Sequence, residues 1–586
     1  MNNIQLSDEQ NEFIAEALKG TNILVDACIG SGKTTSIQQL CIQYPRDKKI
    51  LYLTYNRLLK VDAKEKIKLK NVHVQNYDGF AFWMLMRSGH SMPNRSNIIE
   101  IFNNVQPTLD HYDVLIIDEY QDIKKDHSIL LEYIKESNPD IQIIAVGDMA
   151  QKIYDMTTLN VYSFINSFLD NHIKMEFTQC FRLSNDLAST LGRIWNKRIV
   201  GVNNSCHVSI MNNYEVVDFI AQQNIKDILC LGSRFGQMTK VLNSLEEDYS
   251  NKFNKKTVYA SIRDGDILPT NKCAIFTTFD ASKGLERDIC VIFDFSETYW
   301  NLRVNQNQTK YEIIRNIFCV AASRGKKQII FVKNKNDELL SEEVLSTDPT
   351  VNHSFNDVNI SEMFDFKYSE DIEECYNSLN ISKVREISDN IDITNHDGLI
   401  DLSPCIGTYQ EAMYFNNYKI ENQIELLKIT NKDRFLYIDK NWSLEEKILA
   451  ITAFETHQNR YIHQVKIPYI TDTQKIAITN RLQNQFSKNE IVQKKCKIDI
   501  FNKSNTKIFS AIGRCDVIKN NSVYELKFTS ALAHEHFLQC ACYMIALNLK
   551  IGYLWNVKTN EMYKIEIPNR DIFLKLITKT ITKRAF

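Results

Sequence analysis

The stretch Asn22-Ile-Leu-Val-Asp-Ala27-Cys28-Ile29-Gly30-Ser31-Gly32-Lys33-Thr34-Thr35-Ser-Ile-Gln-Gln-Leu40 decides the reading of the first part of the chain. An apolar strand enters a glycine-bearing turn and leaves it as a helix. The glycines let successive backbone N–H groups face phosphate oxygens at a helix N-terminus, whose dipole favours anions. Lys33 is placed for the β- and γ-phosphates and the Thr34 hydroxyl for magnesium. Ala27 stands where the general form of this loop has its first glycine.

Downstream, DVLIIDEYQD (113–122) ends an apolar strand on Asp118 and Glu119. Asp118 can hold magnesium, and Glu119 is placed to activate an attacking water. An Asp-Glu pair at a strand end also arises by chance. Paired with the loop at 27–34, it reads as an ATP hydrolase using ATP and Mg²⁺.

Around these motifs, residues 1–335 alternate short apolar segments with helical ones: ILYLTY, IQIIAVGD, DILCLGS, CAIFTTF, ICVIFDF and QIIFVK. Strands this apolar, separated by helices, predict parallel strands buried on both faces, in two α/β lobes, 1–160 and 161–335. Residues 336–400 are rich in Asp, Glu, Asn and Ser and read as an acidic linker carrying a helix or two. From 401 to 586 the texture is α+β.

Composition sets limits on these readings. The chain has 586 residues, and at roughly 150 per domain that is about four domain-sized units. Lys and Arg number 70 against 72 Asp and Glu, so nucleic-acid binding cannot be argued from bulk charge and any basic surface is local. No apolar run approaches the about 18 residues that span a bilayer, and the start MNNIQLSDEQ lacks the basic and apolar regions of a signal peptide. The 14 cysteines are scattered without a CxxC pair, which argues for a reducing, cytoplasmic setting.

Motif by motif, residues 1–335 resemble a superfamily 1 DNA helicase of the UvrD/Rep type, which implies two RecA-like lobes. Leu6-Ser-Asp-Glu-Gln10 resembles the Q motif, whose glutamine reads adenine. LYLTYNRLLK (51–60) resembles motif Ia and places Thr54, Tyr55 and Asn56 near single-stranded DNA. Asp118-Glu119-Tyr120-Gln121-Asp122 has the DExQD form, and Gly147-Asp148-Met-Ala-Gln151 resembles motif III, whose glutamine couples phosphate to DNA. Phe181-Arg182 sits where the family stacks an aromatic on adenine and sets an arginine on the γ-phosphate. Thr278-Phe-Asp-Ala-Ser-Lys283-Gly284-Leu285-Glu286 resembles motif V, and Val320-Ala-Ala-Ser-Arg324 resembles motif VI with its arginine finger. Arg182 and Arg324 fall in the second lobe and the phosphate loop in the first, so hydrolysis would depend on lobe closure.

The chain departs from that pattern. Asp78 and Asp280 replace the family's histidines in motifs Ib and V, and the short span between Arg182 and Thr278 leaves no room for the family's large accessory domain. Strong unwinding without a partner, such as an accessory subunit, is therefore in doubt. For base stacking, at roughly 1–3 kcal/mol per base, Tyr55, Tyr77, Phe80 and Trp83 are candidates, with Tyr77 foremost.

A second constellation follows. Ile512-Gly513-Arg514-Cys515-Asp516 and Val523-Tyr524-Glu525-Leu526-Lys527 read as two strands of a tight hairpin, with Glu525 and Lys527 on one face. Two facing carboxylates bind Mg²⁺ or Mn²⁺, and the lysine can orient water against a phosphodiester. Alone, this is equally a solvated hairpin. With Gln539-Cys-Ala-Cys-Tyr543 on the next helix, it resembles the PD-(D/E)xK nucleases of the RecB/AddB type, with their restriction-endonuclease-like fold, in which the Q-x-x-x-Y pair lies by DNA. That family's early-helix metal ligand best matches Glu411 in IGTYQEAMYF, with His463 in RYIHQVK as the alternative. Some relatives carry an iron–sulfur cluster; no cysteine follows Cys542, so none is expected. His534 and His536, at i and i+2 on a helix, splay apart and read as surface.

The combined expectation is an ATP-driven motor tethered to a metal-dependent DNase acting on single- and double-stranded DNA, by resemblance moving 3′ to 5′. Compact fusions of this kind serve DNA repair, mobile elements and anti-phage defence, and the missing accessory domain leans toward the latter two. Two alternatives stay open: a motor with a non-cleaving DNA-binding module, and a nuclease gated by nucleotide without translocation.

Overall fold

The computed structural model describes residues 5–55, 60, 63–65, 67–90, 98–261, 270, 272–306, 309–335, 337–349, 357–388, 390–430, 441–501 and 506–584. Asn56 lies outside them.

Three sheets organise the described chain. The first contains β1 (Asn22–Ala27), β2 (Ile50–Thr54), β3 (Val72–Asn76), β4 (Val114–Asp118), β5 (Gln142–Gly147) and β6 (His172–Phe177), in the order β3-β2-β4-β5-β1-β6. Every pairing in it is parallel. β2, β4 and β5 are buried at every residue, as continuous apolar strands under helices on both faces must be. β6 lies beyond residue 160, so the first sheet reaches further along the chain than the sequence division suggests.

A two-residue parallel pair, β7 (Gln179–Cys180) with β8 (Val200–Gly201), leads to the second sheet. Its strands are β9 (His207–Asn212), β10 (Ile228–Gly232), β11 (Val258–Ala260), β12 (Ala274–Thr278), β13 (Arg287–Ile292) and β14 (Gly325–Lys333). Their order is β11-β12-β10-β13-β14-β9, again all parallel. Two RecA-like parallel-sheet lobes are thus present. Cys28, Ile29 and Ile153 of the first lobe pack in one apolar cluster with Leu229, Ile275 and Phe279 of the second.

The third sheet is mixed. It orders β15 (Val358–Asn359), β18 (Lys507–Lys519), β19 (Ser522–Lys527), β20 (Ile551–Asn556), β21 (Glu561–Glu566) and β16 (Asn380–Arg385), with β17 (Ile491–Phe501) paired to β18. The β18–β19 hairpin turns on Asn520 and Asn521, both left-handed (φ 49° and 55°), which suits a two-residue turn. The segment 336–400 differs from its reading as a linker: β15 and β16 are strands of this sheet. Most of its acidic residues face outward, Asp371 being buried against Lys579 and Arg584, while Ile360, Met363, Phe364, Ile372 and Cys375 sit in the third core beside Leu538, Leu554 and Phe573. A high acidic fraction records the solvent face and hides the narrow apolar one. Among the described residues no helix is long and apolar enough to cross a membrane, and the 14 cysteines are all buried, none of them in a disulfide.

Candidate functional site

The phosphate loop joins β1 to the helix Lys33–Gln43, with Gly30 (φ 69°) and Gly32 (φ 76°) left-handed. A Cβ at Gly30 would stand 2.8 Å from Arg182 Cβ and 2.9 Å from Cys180 Sγ, and Phe181 N–H donates to Gly30 O at 2.9 Å. The loop is therefore pressed against the segment that carries Phe181 and Arg182. Gln10, buried, donates to Ser31 O at 3.0 Å and accepts from Ser7 N–H at 3.0 Å. Ser31 Oγ is buried without a hydrogen-bond partner, and Thr34 and Thr35 are half-buried on the helix's first turn.

Lys33 Nζ lies 3.5 Å from Glu119 Oε1. Asp118, at the end of β4, accepts from Tyr52 OH at 2.7 Å through Oδ2, while its buried Oδ1 has no partner. Burial, and next the charge of Glu119, push the Asp118 carboxyl above its ordinary range. Burial would push Glu119 up as well, but Lys33 and Lys283 outweigh it and hold Glu119 down. Glu119 is thus held down by two lysines, while at Asp118 burial and Glu119 prevail over Lys33.

Several second-lobe cations converge here. Lys283 Nζ pairs with Asp122, lies 3.5 Å from Glu119 Oε2 and donates to Gln151 O at 3.2 Å. Arg182 is held by Glu286 and donates to Ser323 O at 3.4 Å. Arg324 is buried, donating through Nε to Val320 O at 3.0 Å, and its Nη2 has no partner. Burial first, then the like charge of Arg182, lower Arg324 to about 9. Gly284 (φ 80°) turns the chain between Lys283 and Glu286. Phe181 is 42% exposed, its ring edge 3.9 Å from where a Gly32 Cβ would sit. Gln151 donates to Asp148 Oδ2 at 2.8 Å, and Lys197 ties Asp148 (2.9 Å) to Asp26 (2.5 Å).

The residues expected at DNA divide. Thr54 is buried with its hydroxyl toward Gln75 O, and Tyr55 stacks on Tyr154 at 5.6 Å. Tyr77 is 1% exposed and lies face to face with His127 at 4.2 Å, so it is a core residue and offers no stacking platform. Phe80 is also core, and Trp83 packs between His73 and Arg87. Asp280, where the family has histidine, is clasped by both Arg303 Nη atoms at 2.8 and 2.9 Å.

In the third sheet, β18 and β19 bring Asp516, Glu525 and Lys527 together, and the helix Ser403–Tyr414 adds Glu411. Gln493 Nε2 donates to Glu411 Oε2 at 2.7 Å and to Asp516 Oδ1 at 3.4 Å, while Leu526 N–H donates to Asp516 Oδ2 at 2.7 Å. Lys527 Nζ donates to Glu525 Oε1 and Gln539 Oε1, both at 2.9 Å. Gln539 in turn donates to Tyr543 OH at 3.2 Å. Gln539 and Tyr543, expected at DNA, are buried and form a chain that aims Lys527. A Cβ at Gly513 would come within 2.9 Å of Tyr543, so only glycine lets that ring close over β18. His463 stands apart, 3.4 Å from Glu247 of the second lobe.

Burial raises Glu411, Asp516 and Glu525 together; their mutual repulsion adds for Glu411 and Asp516, while Lys527 pulls Glu525 back. Glu525 Oε2 is buried with no partner. A divalent cation fits this donor set, because hard oxygen ligands and an uncompensated negative charge are what Mg²⁺ or Mn²⁺ requires. The orphaned Asp118 Oδ1 makes the same case at the first site. Among the described residues no group of three or more His, Cys, Asp or Glu side chains is clustered tightly enough to hold a metal by itself. An ion at either site would be shared with water and phosphate oxygens, the usual magnesium shell.

Sequence reasoning did not single out Lys197, Gln493 or Tyr52, and quoted Lys283 only as part of a motif. Lys197, Gln493 and Tyr52 act through partners distant in sequence and carry no local signal.

Comparison with known proteins finds two family matches. Residues 10–157 match the family model described as an AAA domain, and residues 475–567 match the PD-(D/E)XK nuclease superfamily. No curated protein matches the chain. Solved structures similar to it include an arterivirus nonstructural protein 10 (helicase) in complex with DNA, at 10% identity and TM-score 0.29, covering 57% of this chain and 66% of that one. Another is S. cerevisiae Dbp5 bound to RNA and ADP BeF3, at 12% identity and TM-score 0.35, covering 60% and 90%. The chain thus carries an AAA-domain match in its first lobe and a PD-(D/E)XK nuclease superfamily match around the third sheet.

Proposed function

We propose that the chain is an ATP hydrolase that moves along DNA, 3′ to 5′, and feeds or exposes strand to its own Mg²⁺- or Mn²⁺-dependent DNase, for processing or degrading DNA ends in the cytoplasm, with defence or mobile-element DNA as the setting. The observation that carries it is the convergence of Lys283, Arg182 and Arg324 from the second lobe on Glu119 and the phosphate loop of the first. Cations delivered from another lobe make hydrolysis depend on closure, and closure that cycles with hydrolysis is the basis of a motor.

Gly30, Ser31, Gly32, Lys33 and Thr35 cradle the phosphates, Gln10 holds the loop from behind, and Phe181 offers its open face to the base. Glu119, kept ionised by Lys33 and Lys283, takes the proton of the attacking water. Arg324, with a free Nη2, and Arg182, once it leaves Glu286, neutralise charge developing on the γ-phosphate. Thr34 and Asp118 would hold the magnesium, and at the nuclease site Asp516, Glu525 and Glu411 would hold the metal. When bound, such an ion neutralises phosphate charge and lowers the pKa of water. Lys527, aimed by Gln539 and Tyr543, orients the water against the phosphodiester. The decisive test is DNA-stimulated ATPase: Lys33→Ala and Arg324→Ala should each abolish it, and wild-type hydrolysis indifferent to DNA would remove the motor.

One observation favours a second reading, a nuclease gated by nucleotide state. Elements of the third sheet's unit grip the loop that follows Gln151. Lys583 Nζ reaches Asp155 Oδ2 at 2.8 Å and Asp155 O at 3.0 Å, Ser369 N and Oγ reach Met156 O at 3.0 and 2.9 Å, and Thr158 N reaches Glu370 at 3.2 Å. This reading expects a non-hydrolysable ATP analogue alone to change cleavage; an unchanged rate would discard it.

A further inference from the structure

Strand alternation on β18 puts Ile512, Arg514 and Asp516 on one face. The register of β17 sets Lys497 opposite Ile512 and Lys495 opposite Arg514. Gln493, donating to Asp516, marks the same face of β17. The other face carries Cys496, Ile498, Ala511 and Cys515 into the core. One step along the ladder from Asp516, roughly 7 Å, is therefore the cross-strand pair Lys495–Arg514.

Both side chains are exposed, and like charges directly opposite each other destabilise a sheet. Among the described residues neither makes an ion pair. Asp499, the carboxylate further along this face, is already neutralised by Lys507 at 3.0 Å, Lys497 at 3.6 Å and the Ser510 hydroxyl at 2.6 Å. Beside these cations stand exposed apolar side chains, Ile512 and, at the end of β17, Phe501. An uncompensated cation pair opening on carboxylates that take a metal, with apolar surface interleaved, is the chemistry that holds a single polynucleotide strand: phosphates on the cations, bases on the apolar faces.

We propose that the outward face of β17–β18 is a track that leads one DNA strand to Asp516 and Glu525, with Lys495 and Arg514 holding phosphates next to the bond that is cut. This rests on the nuclease reading given above and adds where the strand lies.

The test is equilibrium binding of the full-length protein to a fluorescein-labelled oligothymidylate in EDTA, over a salt series, for wild type, Lys495→Ala/Arg514→Ala, the charge-conserving Lys495→Arg/Arg514→Lys and the surface control Lys240→Ala. Each phosphate contact contributes about 0.7 to the slope of log K against log salt for single strands. The alanine pair should lower that slope by about 1.4, and the other two variants should keep it. In Mn²⁺ the alanine pair should raise the KM for strand cleavage while kcat moves little. An unchanged slope and KM, with cutting intact, would overturn the track and leave the nuclease standing. A lowered slope in a protein whose wild type cuts nothing would keep the track and overturn the nuclease.

Discussion

Replacing Lys283 by methionine keeps the length and apolar stem of the side chain and removes its charge. The ammonium is buried between Asp122, whose side chain is wholly buried, and Glu119, with Gln151 O as a third partner. Removing one member of a buried pair costs about 3–5 kcal/mol, because the other charge is left without compensation. The cost here falls toward the lower end. Burial already lifts Asp122 to about 6 against the pull of Lys283, so without the lysine it takes up a proton near neutral pH and sheds part of the penalty. The contact joins the two lobes, and the proposed mechanism needs them joined for hydrolysis, so about 3 kcal/mol should appear in the transition state as a roughly hundredfold fall in kcat/KM for ATP. Steady-state ATPase with saturating DNA measures it. Asp122→Asn in the Lys283→Met background, assembled as a double-mutant cycle, should return about 2 kcal/mol, since losing both charges costs less than losing one. A Lys283→Met enzyme within threefold of wild type, or a coupling below about 0.5 kcal/mol, would refute the idea that this lysine ties the lobes through the DExQD segment.

Three further outcomes follow from the same geometry. Tyr77→Ala should lower the stability of the first lobe to urea by about 3–5 kcal/mol, as for other buried aromatics, while the folded protein keeps its affinity for single-stranded DNA; a selective loss of affinity would restore Tyr77 as a stacking platform. Burial lowers the His127 imidazole to about 4, so its folded pKa lies below the unfolded value near 6.5, and its contribution is complete above 6.5 and is lost as pH falls toward 4. Between pH 6.5 and 5 that amounts to about 2 kcal/mol, and denaturation of His127→Phe, which retains the ring stack on Tyr77, should be flatter over that window; parallel curves would contradict it. Gly30→Ala puts a Cβ into Arg182 and Cys180 at a left-handed φ, a conformation costing about 1–2 kcal/mol by itself, so ATP affinity should drop about tenfold or more, read by nucleotide titration, with equal affinity refuting the tight loop contact.

What the sequence made legible was local. The phosphate loop announces itself because strand, glycines, lysine and helix are contiguous, and β18–β19 because Asp516, the two asparagines of the turn and Glu525 lie within one hairpin. Glu411 came from likeness to a family, since its meeting with Asp516 crosses four helices and a strand. Tyr77 misled because an aromatic residue in a polar-flanked motif reads alike whether a base or His127 covers it. The 336–400 segment misled for a related reason: its charged residues dominate the composition, while the few apolar positions such as Ile360, Phe364 and Cys375 do the packing. Lys283, Gln493 and Lys197 depend on which elements the fold sets side by side, and no spacing rule encodes that.

In the proposed function, ATP turnover is coupled to DNA cutting in one chain. This coupling is tested most directly by incubating the protein with end-labelled single- and double-stranded DNA and Mg²⁺ or Mn²⁺, with ATP, with a non-hydrolysable analogue and without nucleotide, beside Lys527→Ala and Lys33→Ala. Cutting should vanish in Lys527→Ala, respond to ATP but not to the analogue, and lose that response in Lys33→Ala. No cutting under any condition, with DNA-stimulated ATPase intact, would contradict it and leave a motor carrying a DNA-binding module.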